Sequence, residues 1–401
     1  MLIVKKFGGS SVADAERIDN VADRCIEDYK KGHQVVVVLS AMGKTTDALI
    51  NRAQTINPNP PKRELDMLLA TGEQTSVALM AMAMARKGVN AISLNAWQVA
   101  MHTTSHYGNA RFKRIDSERI MNELDSGRIV IVTGFQGINR RDDLTTLGRG
   151  GSDTSAVALA AALRADACEI YTDVEGIYTA DPRIVPHAKK MKEITYDEML
   201  ELATLGAKVL HNRSVELAKK YGVTLVVRSS LNREEGTIVK EETEVESMLV
   251  SGVAVDKNAA RIAVLGVKNE PGIAFRIFDV LAKHNINVDV ILQSIGRVNT
   301  KDISFTVDQS QAKEAVSALK KHQKSLTITE IKEEENVAKL SVVGAGMQSH
   351  SGVAAKMFEA LYDVGVNIRM IATSEIRITV LISLEDVDLA MRAVHDKFID
   401  A

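Results

Sequence analysis

The sequence has little cysteine, no long apolar run and almost no net charge. Its two cysteines, Cys25 and Cys168, lack the spacing of metal ligands, and the nine histidines include no HExxH-like pair. The aliphatic run at 35–39 is far shorter than the ~18 residues of a membrane-spanning helix, and residues 1–8 lack a signal-peptide layout. A net charge of -2 gives no basic surface for nucleic acid. We therefore expect a cytoplasmic protein, with reduced cysteines, that binds neither nucleic acid nor membrane.

Short apolar strands alternate with helices through the N-terminal part of the chain. The pattern predicts strands at 2–7, 34–40, 91–94, 129–135, 167–172 and 225–228. It predicts helices at 13–31, 63–87, 115–126, 154–164 and 214–221. This alternation favours an α/β fold with a mostly parallel sheet covered by helices on both faces. A length of 401 residues indicates two or three domains.

An internal repeat occupies the C-terminal part of the chain. PGIAFRIFDVL at 271–281 recurs 80 residues later as SGVAAKMFEAL. Each copy lies within a βαββαβ pattern, but the second copy lacks a last strand. We expect residues 249–255, ahead of the first copy, to complete the second sheet and interlock the modules.

The glutamate-rich segment 234–246 indicates a domain boundary. The predicted domains are therefore a catalytic domain at 1–246, a first module at 257–335 and a second at 336–401. Strand 248–256 is assigned to the second module.

The stretch TTLGRGGSDT at 145–154 predicts an anion site. Its glycines free the backbone to turn and to approach a ligand closely. Ser152, Asp153 and Thr154 are good N-cap residues for the helix that follows. A helix N-terminus attracts anions, and Arg149 adds a planar fork for carboxylate or phosphate. The stretch alone does not choose between these two anions.

Three further loops follow predicted strands. KFGGSS at 6–11 offers a lysine and a glycine turn, although it could equally be a plain turn with a surface lysine. SAMGKTT at 40–46 is a second turn. TDVEGIYTADPR at 172–183 suits a nucleotide, its plainer reading being an Asp-Pro turn with a surface arginine. Because ligands bind beyond the carboxyl ends of parallel strands, we expect these loops to meet over one site.

Glu73 interrupts the apolar pattern of the predicted helix at 63–87. A Gly-Glu pair inside such a helix is unfavourable. Glu73 therefore either faces solvent or binds a cation such as an ammonium group, and the residues alone leave both readings open.

In order and spacing, these motifs resemble the aspartate kinases of the amino acid kinase family over essentially the whole chain. The matching segments are KFGGSSV, SAMGKTTD, ATGEQ, TTLGRGGSDT, YTDVEGIYTADPR and a doubled C-terminal ACT module. The resemblance implies a three-layer α/β/α sandwich followed by two ferredoxin-like ACT modules. It also implies transfer of the ATP γ-phosphoryl group to the side-chain carboxylate of L-aspartate, the first step of lysine, threonine and methionine biosynthesis.

The resemblance also implies which residues act. Catalytic roles fall to Lys6 and Asp153, and Mg²⁺ is expected on the ATP phosphates rather than in a protein cage. The implied ATP-binding residues are Lys6, Phe7, Gly8, Gly9, Thr172, Asp173, Tyr178, Asp181, Arg183 and Lys208. The implied aspartate-binding residues are Ser40, Thr46, Glu73, Arg149, Gly150, Gly151 and Ser152. Arg149 would hold the α-carboxylate, and Glu73 would hold the ammonium group.

Feedback inhibition by lysine, threonine or both is implied through the ACT modules. Similar chains pair these modules between subunits, so a homo-oligomer is expected, and an internal start near Met248 would yield a separate small subunit. The implied effector residues are Asn269, Gly272, Ile273, Ala274, Asn287, Val288, Asp289, Gln293, Met347, Val353, Asn367, Ile368 and Ser374. Without the family, the asparagines and Asp289 would read as turn residues.

One departure and two alternatives remain. After His211 the family usually has proline, whereas this chain has Asn212, which weakens the transfer of a role to Lys208 although proline mainly stiffens the backbone. A related enzyme would act on glutamate, N-acetylglutamate or a nucleoside monophosphate, but Glu73 with Arg149 favours a free amino acid. A non-catalytic amino-acid sensor would not need the complete set of catalytic motifs seen here.

Overall fold

The structure, a computed structural model, describes residues 1–206, 209–243, 249–295, 300–348 and 350–399, with only the backbone of Ile295 and Gln348. These residues form two compact units. The first takes the described residues of Met1–Ile177, Lys190–Ala203 and Lys208–Val245, and the second those of Tyr178–Lys189, Thr204–Ala207 and Glu246–Ala401. None of the helices in the described ranges has the length and apolar character needed to span a membrane.

The first unit contains short strands and helices in alternation. Its strands are β1 Leu2–Phe7, β2 Gln34–Leu39, β3 Ala91–Leu94, β4 His102–Thr103, β5 Phe112–Arg114, β6 Ile129–Thr133, β7 Gln136–Ile138, β8 Leu144–Thr146, β9 Ala167–Thr172, β10 Glu193–Thr195, β11 Leu225–Ser229 and β12 Thr237–Lys240. Its helices are α1 Ala15–Lys30, α2 Thr45–Ile56, α3 Lys62–Leu69, α4 Thr71–Arg86, α5 Glu118–Asp125, α6 Gly151–Leu163, α7 Tyr196–Thr204 and α8 Asn212–Tyr221.

The main sheet of this unit has the order β10-β12-β11-β9-β1-β2-β6-β3. All neighbours in it run parallel except β11 and β12. The central strands are apolar along their whole length because both of their faces are covered. Phe7 pairs with Leu39 and Tyr171, so the strand ends that precede the predicted loops lie side by side. The predicted α/β fold is confirmed.

Several predicted elements of this unit differ from the structure. The prediction of a single helix at 63–87 is wrong, because the structure has two helices there, α3 and α4, which meet at Ala70. Helix α2 was not predicted, since it buries none of its residues and shows no apolar face. The boundary segment 234–246 contains β12, whose Thr237 and Val239 are buried. The second sheet, β5-β4-β7-β8, was not predicted, because its strands are too short to show a hydrophobic pattern in the sequence.

The second unit is built on one six-stranded antiparallel sheet, in the order β14-β15-β13-β16-β18-β17. Its strands are β13 Gly252–Lys268, β14 Ile291–Ile295, β15 Thr300–Asp308, β16 Glu330–Val343, β17 Met370–Thr373 and β18 Arg377–Ser383. Its helices are α9 Ile273–Lys283, α10 Ala312–Lys321, α11 Val353–Asp363 and α12 Val387–Ile399.

Strands β13 and β16 run through both modules of the repeat. Residues 252–256 of β13 pair with 339–343 of β16, and residues 259–265 pair with 330–337. The strand expected at 249–255 is thus the first part of a strand of 17 residues that continues into the first module. The expected interlocking of the two modules is confirmed.

The segment Tyr178–Lys189, here named the strap, packs within the second unit although it lies far from the repeat in sequence. Val185 of the strap is fully buried in the apolar core that α11 and α12 help to form. The Thr179 carbonyl accepts a hydrogen bond from the Val253 N–H at 2.7 Å. Its hydroxyl lies 2.9 Å from Nε2 of the buried His395. Backbone pairing and core packing therefore both attach the strap to this unit.

We predict that Val185→Ala lowers the stability of the second unit. Loss of two buried methyl groups should cost about 1–2 kcal/mol. Hydrogen exchange should show weaker protection of α11 and α12 and unchanged protection of α6. The matched control, Val157→Ala in the buried face of α6, should do the reverse. Unchanged exchange in α11 and α12 after Val185→Ala would contradict the packing described.

Candidate active site

Lys6 and Asp153 form an ion pair at the carboxyl edge of the main sheet. The Lys6 Nζ lies 2.6 Å from the Asp153 Oδ1, and the two side chains are only 12% and 14% exposed. Lys6 comes from the end of β1 and Asp153 from the first turn of α6. Charges so removed from water interact more strongly than surface charges do. The pair therefore holds a lysine ammonium group at a fixed position next to the loop that follows β1.

The loops after β1 and β2 contact each other through backbone atoms. The Gly43 N–H donates to the Gly9 carbonyl at 2.9 Å. A Cβ on Gly9 would lie 2.7 Å from the Ala41 carbonyl oxygen and 3.0 Å from that of Gly43. A Cβ on Gly8 would lie 3.5 Å from the Lys6 Nζ. Glycine at position 9 thus lets the two loops approach each other, and the backbone at Gly8 passes close to the lysine ammonium group.

Glu73 is buried in the first turn of α4, with 2% of its surface exposed. Its Oε1 accepts a hydrogen bond from the Ala41 N–H at 3.0 Å. Its Oε2 is also buried and has no hydrogen-bond partner among the residues that the structure describes. Burial raises the pKa of Glu73 to about 7. The reading in which Glu73 faces solvent is therefore wrong, and the reading in which it binds a cation stays a prediction.

Gly72 explains the Gly-Glu pair that interrupts the apolar helix pattern. A Cβ on Gly72 would lie 2.8 Å from the Ala41 Cβ. The glycine therefore lets the start of α4 approach the loop after β2, which is the approach that the hydrogen bond between Ala41 and Glu73 requires.

The glycine-rich stretch makes a tight turn into α6. Gly148 and Gly150 have φ values of 77° and 66°, a region that favours glycine. A Cβ on Gly150 would lie 2.3 Å from the His211 ring, and one on Gly151 would lie 2.8 Å from Phe135. Each glycine is thus required by backbone conformation or by a close neighbour.

The start of α6 corrects one expectation. The helix begins at Gly151 with Gly150 as its N-cap, so the prediction that Ser152, Asp153 or Thr154 caps it is wrong. These residues lie in the first turn, where the Thr154 hydroxyl donates back to the Gly150 carbonyl at 3.0 Å. The left-handed backbone at Gly150 lets the helix begin at Gly151, three residues before the predicted start at 154. Helix propensity does not reveal this difference.

The other residues expected at aspartate are placed by the same loops. Ser152 is buried, and a Cβ on Gly134 would lie 2.9 Å from its hydroxyl oxygen. Ser40 and Thr46 are half-buried, after β2 and in the first turn of α2. Arg149 is exposed. Its guanidinium therefore extends from a loop whose own backbone is held tightly.

Of the residues expected at the nucleotide, some lie in the first unit. Phe7 is buried and stacks on Tyr171, with ring centroids 4.4 Å apart. Thr172 ends β9, and its hydroxyl donates to the Asp173 carboxylate at 3.0 Å. Together with Gly8 and Gly9, these residues lie at the carboxyl ends of the adjacent strands β1 and β9.

The other residues expected at the nucleotide lie in the second unit or outside the described residues. Tyr178, Asp181 and Arg183 belong to the strap in the second unit. The Arg183 guanidinium pairs with the Asp181 carboxylate at 2.7 Å and holds the pKa of Asp181 below its usual range. Lys208 lies outside the described residues.

A buried ionic cluster next to the site was missed by the sequence analysis. Lys5 is fully buried, contacts Glu169 and lies 2.6 Å from the Asp28 carboxylate. Burial lowers its pKa, but the Tyr171 hydroxyl and Glu169 more than compensate, so the pKa is raised. The sequence carried a signal for this cluster. Adjacent residues of a strand point to opposite faces of the sheet, so in a strand covered on both faces Lys5 and Lys6 are both removed from water.

Cys25 is also buried. Burial raises the pKa of its thiol to about 12, so this cysteine is a poor nucleophile.

The residues expected at effectors lie in the second unit, at equivalent places of the repeat. Gly272 and Gly352, with φ values of 87° and 94°, precede α9 and α11. The Asp289 carboxylate pairs with the buried Lys339 ammonium at 2.5 Å. Asn269, Asn287, Gln293, Asn367 and Ser374 are exposed, Ala274, Val288, Met347 and Ile368 are half-buried, and Ile273 and Val353 are buried.

The second unit also groups side chains that the sequence spacing did not connect. Ligand-type atoms of His187, His395 and Asp396 lie within 4.8 Å of one another. The His187 ring lies 2.8 Å from the Asp396 carboxylate. The grouping lies where the strap meets α12.

Comparison with known proteins gives consistent matches over the whole chain. Residues 1–229 match the model of the amino acid kinase family, and residues 262–323 and 340–398 match that of the ACT domain. An aspartokinase of Bacillus sp. strain MGA3 is 50% identical over 398 residues, covering 99% of this chain and 97% of its own. An aspartokinase of Corynebacterium glutamicum is 51% identical over 403 residues, covering 99% and 96%.

Solved structures of similar proteins include two complexes of Escherichia coli aspartokinase III. The complex with aspartate and ADP, in the R-state, is 28% identical, with a TM-score of 0.83. The complex with lysine and aspartate, in the T-state, is 27% identical, with a TM-score of 0.79. Each comparison covers 99% of both chains.

We predict that Glu73→Gln stabilises the chain, and increasingly so as the pH rises. A folded-state pKa near 7, above the ordinary value of 4.5, means that folding retains a proton between these values. The wild-type chain therefore loses stability as the pH rises from about 4.5 to 7. Glutamine avoids this loss, which amounts to about 3 kcal/mol at pH 8.

Melting temperatures measured at pH 5 and pH 8 check this prediction. The advantage of Glu73→Gln over the wild type should be small at pH 5 and larger at pH 8. Glu16→Gln, at an exposed carboxylate of α1, is the matched control and should show no such trend. An equal effect of Glu73→Gln at both pH values would contradict the raised pKa.

Proposed function

The chain belongs to the amino acid kinase family, and from this premise we propose how it acts on aspartate. It is an aspartate kinase, which transfers the γ-phosphoryl group of ATP to the side-chain carboxylate of L-aspartate and gives 4-phospho-L-aspartate and ADP. This reaction is the first step of lysine, threonine and methionine biosynthesis. The observation that carries the proposal is the buried Glu73 carboxylate, one oxygen of which has no partner among the described residues, together with the Lys6 ammonium group held by Asp153.

On the amino-acid side, Glu73 binds the ammonium group of aspartate and Arg149 binds its α-carboxylate. A buried carboxylate with an unsatisfied oxygen strongly favours a cation. This requirement argues against an N-acetylated amino acid, which has no ammonium group. An exposed guanidinium on a rigid turn suits bidentate binding of a carboxylate. The remaining residues of the aspartate-binding side are Ser40, Thr46, Gly150, Gly151 and Ser152.

On the phosphoryl side, Lys6 and the turn after β1 stabilise the group in transfer. An oxygen of the aspartate side-chain carboxylate bonds to the γ-phosphorus, and the bond from that phosphorus to the β,γ-bridging oxygen breaks. ADP leaves with the electron pair of that bond. Such transfer depends mainly on positioning and on neutralising charge. Asp153 keeps the Lys6 ammonium in place, and Gly8 and Gly9 leave room for phosphate beside it.

The finer assignments at the nucleotide are part of the same proposal. Phe7, Thr172 and Asp173 line the nucleotide side in the first unit, and the roles of Tyr178, Asp181, Arg183 and Lys208 stay predictions from the family. Mg²⁺ would supply further charge neutralisation when bound to the ATP phosphates. The donor chemistry agrees with this arrangement, because the carboxylate nearest to Lys6, that of Asp153, is already in an ion pair.

Regulation operates through the ACT domains, by which lysine, threonine or both inhibit the enzyme. Subunit pairing through these domains is proposed. It is supported by the exposed apolar residues Ile291, Leu292 and Ile371 on β14 and β17, the two edges of the sheet. The division into domains at 1–246, 257–335 and 336–401, a separate small subunit and a cytoplasmic location stay predictions from the sequence.

An activity assay tests the proposed function directly. With ATP, Mg²⁺ and hydroxylamine, the purified chain should convert aspartate to its hydroxamate, because hydroxylamine traps the acyl phosphate. Lys6→Ala should reduce turnover by at least 100-fold, since a lost charge at the transferring group removes about 3 kcal/mol of transition-state stabilisation. Product from glutamate but none from aspartate would overturn the proposal, and full activity of Lys6→Ala would overturn the role of Lys6.

A further inference from the structure

Asp66 is a buried carboxylate that the reaction described above does not use. It lies in α3, with 1% of its surface exposed. It accepts hydrogen bonds from the Thr146 N–H at 2.8 Å, the Thr146 hydroxyl at 2.8 Å and the Gly108 N–H at 2.9 Å. One carboxylate thus takes donors from two segments that are distant in sequence, one of which leads directly into the glycine-rich turn.

Arg213 of α8 binds the carbonyl groups of the same two segments. Its guanidinium donates to the Leu147 carbonyl at 2.9 Å and to the Ala110 carbonyl at 2.6 Å. The segments are also joined to each other, since the Ala110 N–H donates to the Thr146 carbonyl at 2.9 Å. Asp66 therefore holds the two segments by accepting from their N–H and hydroxyl groups, and Arg213 holds them by donating to their carbonyl groups.

These contacts end directly before Arg149. Leu147 is two residues upstream, and a Cβ on Gly148 between them would lie 3.0 Å from the Gly108 carbonyl oxygen. Arg149 itself is exposed, so packing around its side chain does not set its position. The position of its backbone is set instead by the anchored residues at 146 and 147.

We propose that Asp66 and Arg213 are positioning residues that hold Arg149 and thereby set the selectivity for aspartate over glutamate. The inference rests on the proposed function, in which Arg149 and Glu73 bind the α-carboxylate and the ammonium group. Both groups are the same in the two amino acids, and only the reach of the side chain to the phosphoryl group differs, by one methylene. Selectivity therefore requires that Arg149 cannot shift by that length. Asp66 lies in α3 and Glu73 in α4, so consecutive helices serve the two charged groups on the α-carbon of the substrate.

The variant Asp66→Asn tests this role. The asparagine keeps one acceptor oxygen, but its NH2 group cannot accept a hydrogen bond, so at least one of the three bonds that reach Asp66 is lost. We expect the KM for aspartate to rise about tenfold, as for the loss of one charge-assisted hydrogen bond, and the KM for ATP to stay within about twofold. The ratio of kcat/KM for aspartate to that for glutamate should fall about tenfold. Asp23→Asn is the matched control, because the exposed Asp23 of α1 pairs with Lys87 instead.

A milder variant keeps the inference testable if Asp66→Asn does not fold. Thr146→Val removes only the hydroxyl bond to Asp66 and should change the same ratio about threefold in the same direction. Equal changes of both KM values, or unchanged selectivity in every folded variant of an active enzyme, would overturn this inference alone. A wild-type chain that phosphorylates no aspartate would overturn the proposed function first.

Discussion

The close approach of three backbone segments around Ala41 is the constraint on which the candidate site depends. The Ala41 carbonyl faces Gly9, its Cβ faces Gly72, and its N–H donates to Glu73. Any side chain on Gly9 or Gly72 would overlap atoms of this loop. The contact joins the glycine turn after β1, the strand that holds Lys6, to the helix that holds the buried carboxylate. Cation and carboxylate are thereby placed at one edge of the sheet by backbone geometry.

The charged side chains at this edge differ in how completely they are paired with opposite charges, and this difference indicates function. Lys5 and Lys6 are adjacent in β1 and face opposite sides of the sheet. Lys5 contacts two carboxylates in the interior and serves the fold, whereas Lys6 has Asp153 as its ion-pair partner next to an open glycine turn. Glu73 is buried with one oxygen unpaired among the described residues, which costs stability. Such a cost is reasonable where a ligand supplies the missing charge.

The sequence predicted those features whose signal is local or repeated. The strands of the main sheet, the interlocked repeat and the meeting of the loops that carry Lys6, Ser40 and Asp153 follow from apolar runs and from parallel-sheet geometry. Features decided by distant contacts were missed. The helix that begins after the break at Ala70 approaches Ala41 through Gly72, and the strap contacts His395, more than 200 residues away. The helix start at Gly151 depends on positive φ at Gly150. Asp66 looked like an ordinary helix residue because its partners lie in two other segments.

Proton release on aspartate binding is the most direct test of the central claim, that buried Glu73 binds the ammonium group of the substrate. Titration calorimetry with ADP present, at pH 6.5 in buffers of different ionisation enthalpy, counts the protons exchanged per aspartate bound. Because the free Glu73 is largely protonated at this pH and must ionise to pair with an ammonium group, more than about half a proton should be released. Glu73→Gln should abolish that release. No release from the wild-type chain, or equal release from the variant, would contradict the account.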